Sequence, residues 1–96
     1  MKREYNFYVY IISSSSKTIY IGITNNIKRR AYEHSKGLIE GFSKKYSCKF
    51  LVHYEYYNYI EDAIGREKQL KKWNRNKKVV LIEKYNPDWE DLSKDF

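Results

Sequence analysis

Two short runs of β-branched and aromatic residues, separated by only five residues, restrict the fold of this chain more than any other feature. Residues 5–12 contain three tyrosines and two isoleucines, and residues 18–24 contain three isoleucines, two threonines and a tyrosine, which is typical of β-strands. Residues 13–17 between them are polar and too few for the crossover that parallel strands require. The sequence therefore predicts an antiparallel hairpin.

Side chains alternate across a strand, so each predicted strand has two distinct faces. Tyr10 lies on the face opposite Val9 and Ile11, and on the second strand Tyr20 and Gly22 lie opposite the isoleucines. In a hairpin the two tyrosines can share one face of the sheet, with their hydroxyls near a common edge. The missing side chain of Gly22 leaves room for a backbone or a ligand to approach closely.

The first predicted helix runs over residues 27–36. It follows good N-cap residues at Thr24–Asn26, and Gly37 is a natural stop. Residues 37–48 are expected to form a basic loop. Residues 49–57 return to strand composition, which predicts a third strand.

Two further helices are predicted over residues 59–72 and 75–84. Asn58 and Glu61 resemble a capping box at the start of the former, and an Asn-Pro pair ends the latter. The element order is ββαβαα. This is an α+β fold in which helices flank a small, three-stranded and mainly antiparallel sheet.

The charge of the chain is distributed unevenly. Residues 1–86 carry 18 basic and 8 acidic groups, or +10, whereas residues 87–96 carry one basic and four acidic groups, or −3. The length suits a single domain over residues 1–96 with an acidic C-terminal tail. A cationic body favours a polyanionic partner through phosphate contacts and counterion release, although lysines also keep small domains soluble.

Two observations bear on location. No stretch is long and apolar enough to span a membrane, so we expect no membrane partner. The single cysteine, Cys48, cannot form an internal disulfide and is expected to be a small buried residue, and no signal-peptide cleavage site follows the N-terminus. These features favour a cytoplasmic location.

Charged side chains interrupt the inward faces of the first two predicted helices. Ile27, Ala31 and Leu38 define the inward face of the first helix, and Arg30 and His34 fall beside it as an i,i+4 pair. A cation and an imidazole on an inward face need a physical reason. For His34 the structural explanation is a hydrogen-bonded helix histidine.

Glu67 is the corresponding anomaly on the second helix. The inward face of that helix is marked by four apolar residues, Ile60, Ala63, Ile64 and Leu70. Glu67 lies within the same arc, where a carboxylate is costly unless it is paired or holds a metal. An ion pair between Glu67 and Arg30 would explain both residues structurally, whereas a shared site would explain them functionally.

These residues together resemble the motifs of the GIY-YIG nuclease superfamily. Tyr20-Ile21-Gly22 matches the second motif literally, while Tyr8-Val9-Tyr10 stands where the first motif has Gly-Ile-Tyr. Ten residues separate Tyr10 from Tyr20, as in the family pattern.

The helical residues extend the match. Arg30 lies eight residues after Gly22, where the family has its arginine, and His34 follows four residues later, where the family has His or Tyr. Glu67 is similar to the metal-binding glutamate of the family. The resemblance covers nearly the whole chain and is closest to the small stand-alone members.

The resemblance implies a metal-dependent endonuclease with five catalytic residues. Glu67 would hold one Mg²⁺ or Mn²⁺ ion, since hard cations prefer carboxylate oxygens. Arg30 would bind the phosphate, and Tyr10 or Tyr20 would take the proton from the attacking water. His34 would orient the tyrosine or share the proton transfer. A phenol with a pKa of ~10 is a poor base at neutral pH unless Arg30 or the metal lowers that pKa.

A basic and aromatic surface is expected to follow the phosphates. It comprises Lys44, Lys45, Lys68, Lys71, Lys72, Trp73 and Arg75. Trp73 would stack on an unpaired base, whereas the plain alternative for this basic run is a solvated helix face.

The expected partner is nucleic acid, DNA more than RNA. We expect it to be cut in a structure-specific way, of the kind that repair or recombination requires. A protein partner could also supply specificity. Two alternatives stay open. One is a nucleic-acid-binding module without turnover, consistent with the glycine missing from the first motif. The other is a protein-interaction domain that uses its acidic tail or aromatic surface.

Overall fold

A computed structural model describes residues 5–96 of the chain. Residues 1–4 of the predicted domain lie outside the described part. In chain order the elements are β1 Phe7–Ser13, β2 Ile19–Thr24, α1 Ile27–Ser35, α2 Phe42–Lys45, β3 Phe50–Tyr57, α3 Ile60–Lys72, α4 Arg75–Tyr85 and a 3₁₀ turn at Leu92–Asp95. The predicted α+β class is confirmed.

The three strands form one antiparallel sheet in the order β2-β1-β3. The predicted hairpin between β1 and β2 is confirmed, and its register sets Tyr10 opposite Gly22. Pairing between β1 and β3 slips between Ile11 and Ile12, which leaves Val52 as a bulge. The central strand is therefore β1, and β2 and β3 are the two edges.

The helices cover both faces of this sheet, and two cores result. Helices α3 and α4 pack over the face of Val9 and Ile11, burying Ala63 and Leu70. The opposite face, which carries Tyr10, packs against α1 and buries Cys48 as expected. The predicted separation of each strand into two faces is thus confirmed, and each face is apolar because each is covered.

One element was missed by the sequence interpretation. Residues 37–48 contain the single-turn helix α2, so the order is ββααβαα rather than ββαβαα. The helix begins after Gly41, whose φ of 112° places it in a region that favours glycine. Four residues are too few to show a helical period, and burial of Ser43 anchors the turn instead.

Some helix details of the prediction are wrong. Asn58 does not cap α3, because Tyr59 occupies the N-cap position without a side-chain cap and Asn58 Oδ1 accepts a hydrogen bond from Tyr56. Leu38 lies beyond the end of α1 and is exposed. Of the four residues assigned to the inward face of α3, two are partly exposed, namely Ile60 and Ile64.

The acidic tail folds back onto β3. Asn86 ends α4 and donates through Nδ2 to the carbonyls of Val52 and Glu90, at 3.1 and 2.9 Å. Asp91 accepts a hydrogen bond from the backbone amide of Leu51 at 3.3 Å. These contacts make the tail part of the folded body. Across residues 5–96, none of the helices has the length and apolar character needed to cross a bilayer.

Candidate active site

A buried tyrosine and a buried histidine meet on the α1 side of the sheet. Tyr10 points from the centre of β1, and His34 comes from the last turn of α1. The Tyr10 hydroxyl lies 2.9 Å from His34 Nε2, and the side chains are 1% and 3% exposed, respectively. The two elements thus hold a hydrogen-bonded pair where most proteins place only apolar groups.

Tyr20 and Gly22 on β2 complete this corner. The Tyr20 ring centroid lies 6.4 Å from that of Tyr10 and 5.9 Å from that of His34. A Cβ on Gly22 would overlap the Tyr10 phenol, with Cε1 at 2.9 Å. The close approach predicted at Gly22 is therefore made by the tyrosine of the opposite strand.

Tyr8, which replaces the glycine of the first motif, does not crowd this corner. Its ring packs edge-on against the rings of Tyr54 and Tyr56 on β3, with centroids 6.3 and 5.5 Å away. Tyr8 lies on the same face of β1 as Tyr10 and borders the same core, but its ring contacts are with β3, whereas Tyr20 approaches Tyr10 from β2. The larger residue is accommodated by the aromatic surface of β3.

Arg30 stands beside the pair with a buried nitrogen that has no hydrogen-bond partner among residues 5–96. Its Nε lies 3.3 Å from Glu33 Oε1, but the geometry forms no hydrogen bond. Its positive charge lowers the pKa of both Tyr10 and His34, so the guanidinium lies within electrostatic range of both. A buried donor without a partner is costly, and an anionic ligand would satisfy it.

Glu67 approaches from α3, with its side chain 18% exposed. Its charge raises the pKa of Tyr10, which puts the carboxylate within electrostatic range of the phenol. The structural alternative, an ion pair between Glu67 and Arg30, is not formed: among residues 5–96, Glu67 pairs with Lys71 at 3.6 Å and Arg30 with Glu33 at 3.3 Å. A structural pairing between the two therefore does not explain their positions.

The protonation of the pair is set mainly by burial. Burial raises the pKa of Tyr10 to about 12, with a further rise from Tyr20, and the opposing effect of Arg30 is too small to reverse it. Burial and then Arg30 lower the pKa of His34 to about 4, against a small rise from Glu33. At neutral pH a neutral phenol therefore faces a neutral imidazole. Arg30 therefore lowers the Tyr10 pKa less than burial raises it, so Arg30 by itself does not make the phenol a stronger base.

The second ring nitrogen of His34, Nδ1, is also buried and finds no hydrogen-bond partner within the described part of the chain. If Tyr10 donates to Nε2, then Nδ1 carries the proton, and if Nε2 donates, then Nδ1 is a bare acceptor. Either tautomer leaves one polar atom unsatisfied beside Arg30. Such groups mark functional positions more often than ordinary core positions.

The residues present fit a single hard cation. Among residues 5–96 there is no group of three or more His, Cys, Asp or Glu side chains that could hold a metal. A cation at this site would have Glu67 as its one carboxylate ligand. Water and phosphate oxygens would complete its coordination shell, as is common for Mg²⁺.

The predicted nucleic-acid contacts are dispersed. Lys71 lines a groove of about 250 Å³ at the β2 edge, while Lys68 and Lys72 are exposed on α3. Lys44 pairs with Glu40 at 2.8 Å, and Lys45 Nζ lies 5.5 Å from the Tyr46 ring.

The two remaining predicted contacts are partly engaged elsewhere. Trp73 packs against the Val9 core, with its ring 5.1 Å from the Arg66 guanidinium and 5.9 Å from Lys77 Nζ. Arg75 donates to the carbonyl of Lys17 at 2.8 Å. Base stacking by Trp73 stays a prediction.

Two residues of the groove at the β2 edge were not singled out from the sequence. Phe42 lies on α2, which was expected to be loop. Lys78 is one of several basic residues on α3 and α4, and the sequence does not distinguish it from the others. Only the folded arrangement brings them beside Tyr20. Their order in the chain carries no signal of this proximity.

The fold and this tyrosine-rich corner define a small nuclease-type domain, and a family comparison agrees. The chain belongs to the GIY-YIG family, because the model of the GIY-YIG catalytic domain matches residues 6–86. This is a family of nucleases that act on nucleic acid and generally depend on a divalent metal.

Within the family, the chain is similar to UPF0213 proteins. It is 39% identical over 89 residues to one from Syntrophus aciditrophicus, covering 84% of this chain and 93% of that one. It is 31% identical to another from Clostridium perfringens, covering 92% and 95%, respectively. The solution NMR structure of the UPF0213 protein BH0048 from Bacillus halodurans superposes with a TM-score of 0.59 at 27% identity, covering 93% and 95%.

Proposed function

We propose that this protein is a divalent-metal-dependent endonuclease that hydrolyses phosphodiester bonds in DNA. The observation that carries the proposal is the unsatisfied Arg30 Nε beside the buried Tyr10–His34 hydrogen bond. Membership of the GIY-YIG family and the cationic body support it further. We also propose that residues 1–96 form one catalytic domain that acts in the cytoplasm, consistent with a free, buried Cys48.

Arg30 is the proposed phosphate ligand. Its guanidinium offers planar donors that suit a phosphodiester, and within the described residues its Nε forms no hydrogen bond, only the 3.3 Å ion-pair contact with Glu33. A phosphate bound by this guanidinium would lie within electrostatic range of the Tyr10 phenol. Preorganised donors of this kind stabilise the charge that develops on the phosphate in the transition state.

Tyr10 and His34 are the proposed proton-transfer pair. The phenol takes a proton from the attacking water while its own proton passes to His34 Nε2 along the 2.9 Å contact. Arg30 is one cause of the low His34 pKa, so an anionic phosphate on Arg30 offsets that effect and makes the imidazole a better acceptor. Tyr20 is the proposed partner of Tyr10 in positioning the water.

Glu67 would hold the divalent cation, Mg²⁺ or Mn²⁺, on the α3 side of the site. When bound, the cation supplies charge neutralisation at the phosphate and at the leaving oxygen. Lys71 Nζ lies 3.6 Å from the Glu67 carboxylate and places a positive charge beside it before substrate arrives.

The test is incubation of the purified protein with supercoiled, branched and single-stranded DNA and with RNA, each with Mg²⁺, with Mn²⁺ and with EDTA. We expect cleavage of DNA with metal only, and its loss in both Glu67→Ala and Arg30→Ala. Glu33→Ala is the matched control, because it removes the neighbour of Arg30 without removing a proposed ligand. Metal-dependent cleavage that survives both site substitutions would show that the residues are misassigned.

A nucleic-acid-binding module without turnover is the second candidate. The observation that favours it is the raised pKa of Tyr10, since a phenol with a pKa of about 12 is a weak base. In that case the protein binds DNA with a steep dependence on salt but leaves every substrate intact with either metal.

A further inference from the structure

Three aromatic rings lead outward from the candidate site along the β2 edge. Tyr20 stacks on Phe42 with centroids 6.3 Å apart, and Phe42 packs on Tyr46 at 4.5 Å. Phe42 is 47% exposed and Tyr46 is 45% exposed. We name Tyr20, Phe42 and Tyr46 the aromatic platform. It begins at Tyr20, whose ring centroid lies 5.9 Å from that of His34, and ends at the surface.

The backbone beneath the platform is fixed. Ser43, next to Phe42, is buried, and its carbonyl accepts a hydrogen bond from the Cys48 amide at 2.8 Å. The Lys49 amide bonds to the carbonyl of Ser13 on β1 at 3.1 Å. The segment is therefore tied to the central strand on its inner side. The rings of Phe42 and Tyr46 are exposed on this fixed backbone, although the hydrophobic effect favours their burial.

Lysines flank the platform along its length. Lys71 and Lys78 line the groove of about 250 Å³ that contains Tyr20 and Phe42. Lys45 Nζ lies 5.5 Å from the Tyr46 ring. Exposed rings alternating with ammonium groups form the usual surface for a single nucleic-acid strand, where bases stack on rings and phosphates meet cations.

We infer that the aromatic platform binds unpaired nucleotides, so that nucleic acid with a single-stranded segment beside the cleavage position is the preferred substrate. A base within a duplex has both faces covered by its neighbours, so only an unpaired base can stack on Phe42. The cleavage part of this inference rests on the proposed function, whereas the binding part does not. An apolar protein segment would match the rings but not the surrounding positive charge.

The test measures binding in EDTA, without turnover, by fluorescence anisotropy. The probes are a single strand, a duplex with a single-stranded overhang and a blunt duplex. We expect wild-type protein to bind the first two more tightly than the third. Phe42→Ala should weaken binding of those two roughly tenfold, the order expected for one lost stacking contact, and leave the blunt duplex unchanged.

Salt dependence separates the two kinds of contact. Lys78→Ala should reduce the slope of log K against log salt for the single strand by about 0.7, whereas Phe42→Ala should leave that slope unchanged. Phe42→Trp should retain tight binding. Tyr85→Ala is the matched control, since this tyrosine is 67% exposed beside His53 at the opposite edge of the sheet, and it should bind all three probes like wild type.

Equal affinity of wild type for all three probes, or an equal loss for all three in Phe42→Ala, overturns the inference. A 2-aminopurine base in the overhang should lose fluorescence with wild type and keep it with Phe42→Ala, because stacking quenches it. Cleavage without preference for unpaired DNA would remove this inference and leave the nuclease proposal standing. Phe42-dependent binding without cleavage at any metal concentration would remove the nuclease proposal and leave the inferred binding of unpaired nucleotides standing.

Discussion

The hydroxyl of Tyr10 and Nε2 of His34 lie 2.9 Å apart, with both side chains almost completely buried. This contact joins the central strand to the last turn of α1 through two polar groups. Each of them would be left unsatisfied if the other were removed. The pair therefore has both a structural and a chemical consequence, and substitutions can separate the two.

Tyr10→Phe removes only the hydroxyl and leaves His34 Nε2 without its partner. We expect the free energy of unfolding to fall by about 1–3 kcal/mol, the cost of an unsatisfied buried group. Under the proposed function the cleavage rate should fall by about 10²-fold or more, since proton transfer is lost. Denaturant unfolding and single-turnover cleavage below the transition measure the two effects. Tyr8→Phe is the control. Cleavage by Tyr10→Phe at the wild-type rate would show that Tyr10 takes no part in the reaction.

Gly22→Ala tests the close approach of the two strands. A Cβ at this position overlaps the Tyr10 phenol, so the ring must move away from His34. We expect destabilisation of about 1–3 kcal/mol and a loss of cleavage similar to that of Tyr10→Phe. The measurements are thermal unfolding and cleavage.

Gly65→Ala is the matched control for this substitution. Gly65 lies within α3, and apart from its chain neighbours and its own helix backbone no atom of the described residues lies within 4 Å of the added Cβ. Alanine there should stabilise the helix by up to about 1 kcal/mol and leave cleavage intact. If both alanine variants behaved alike, the steric explanation for Gly22 would be wrong.

Much of this fold could be predicted because its signals are local. Strand alternation placed Tyr10 and Tyr20 on one face, and the five-residue connector required an antiparallel hairpin. His34 was marked as anomalous by helical periodicity alone, and it is buried. These signals depend only on neighbours within one or two turns of chain.

The remaining features depend on contacts that are distant in sequence. Helix α2 has no period of its own, and Phe42 becomes part of the groove because the Ser43 backbone is bound by Cys48. The alternative of an Arg30–Glu67 ion pair is excluded among residues 5–96 because each residue pairs within its own helix, Arg30 with Glu33 and Glu67 with Lys71. Spacing along one helix cannot reveal how two helices face each other.

His34 should make stability depend on pH in a defined window. Its pKa is about 4 in the folded protein and about 6.5 when unfolded, so the unfolded chain binds more protons between these values. Stability is therefore fully present above pH ~6.5 and falls as the pH drops towards ~4, by up to about 3 kcal/mol. Urea unfolding at half-unit pH steps measures this.

His34→Gln is the control for that window. Glutamine does not titrate, so the slope of stability against pH between about 6.5 and 4 should become shallower. The variant starts less stable, and its decline over this range should be smaller than that of wild type. An unchanged slope would show that another group is responsible for the pH dependence.

Glu55 anchors a second polar cluster on the β3 side of the sheet, away from the candidate site. Its oxygens accept hydrogen bonds from Arg66 Nε and Nη2 at 2.8 and 3.1 Å, and from the Tyr57 hydroxyl at 2.8 Å. His53 Nε2 lies 2.8 Å from the same carboxylate. Burial alone would raise the pKa of Glu55, but these three partners lower it to about 2.

Glu55→Gln should therefore destabilise the protein by about 1–3 kcal/mol while leaving cleavage unchanged under conditions where the protein stays folded. The depressed pKa gives the sign of the pH effect: the contribution of Glu55 is present above pH ~4.5 and is lost as the pH falls towards ~2. Wild type and variant should then converge in stability at low pH. Exposed Glu61 at the start of α3 supplies the control, because Glu61→Gln should change stability by less than about 0.5 kcal/mol. A loss of cleavage in folded Glu55→Gln would connect this cluster to the site, contrary to their separation across β1.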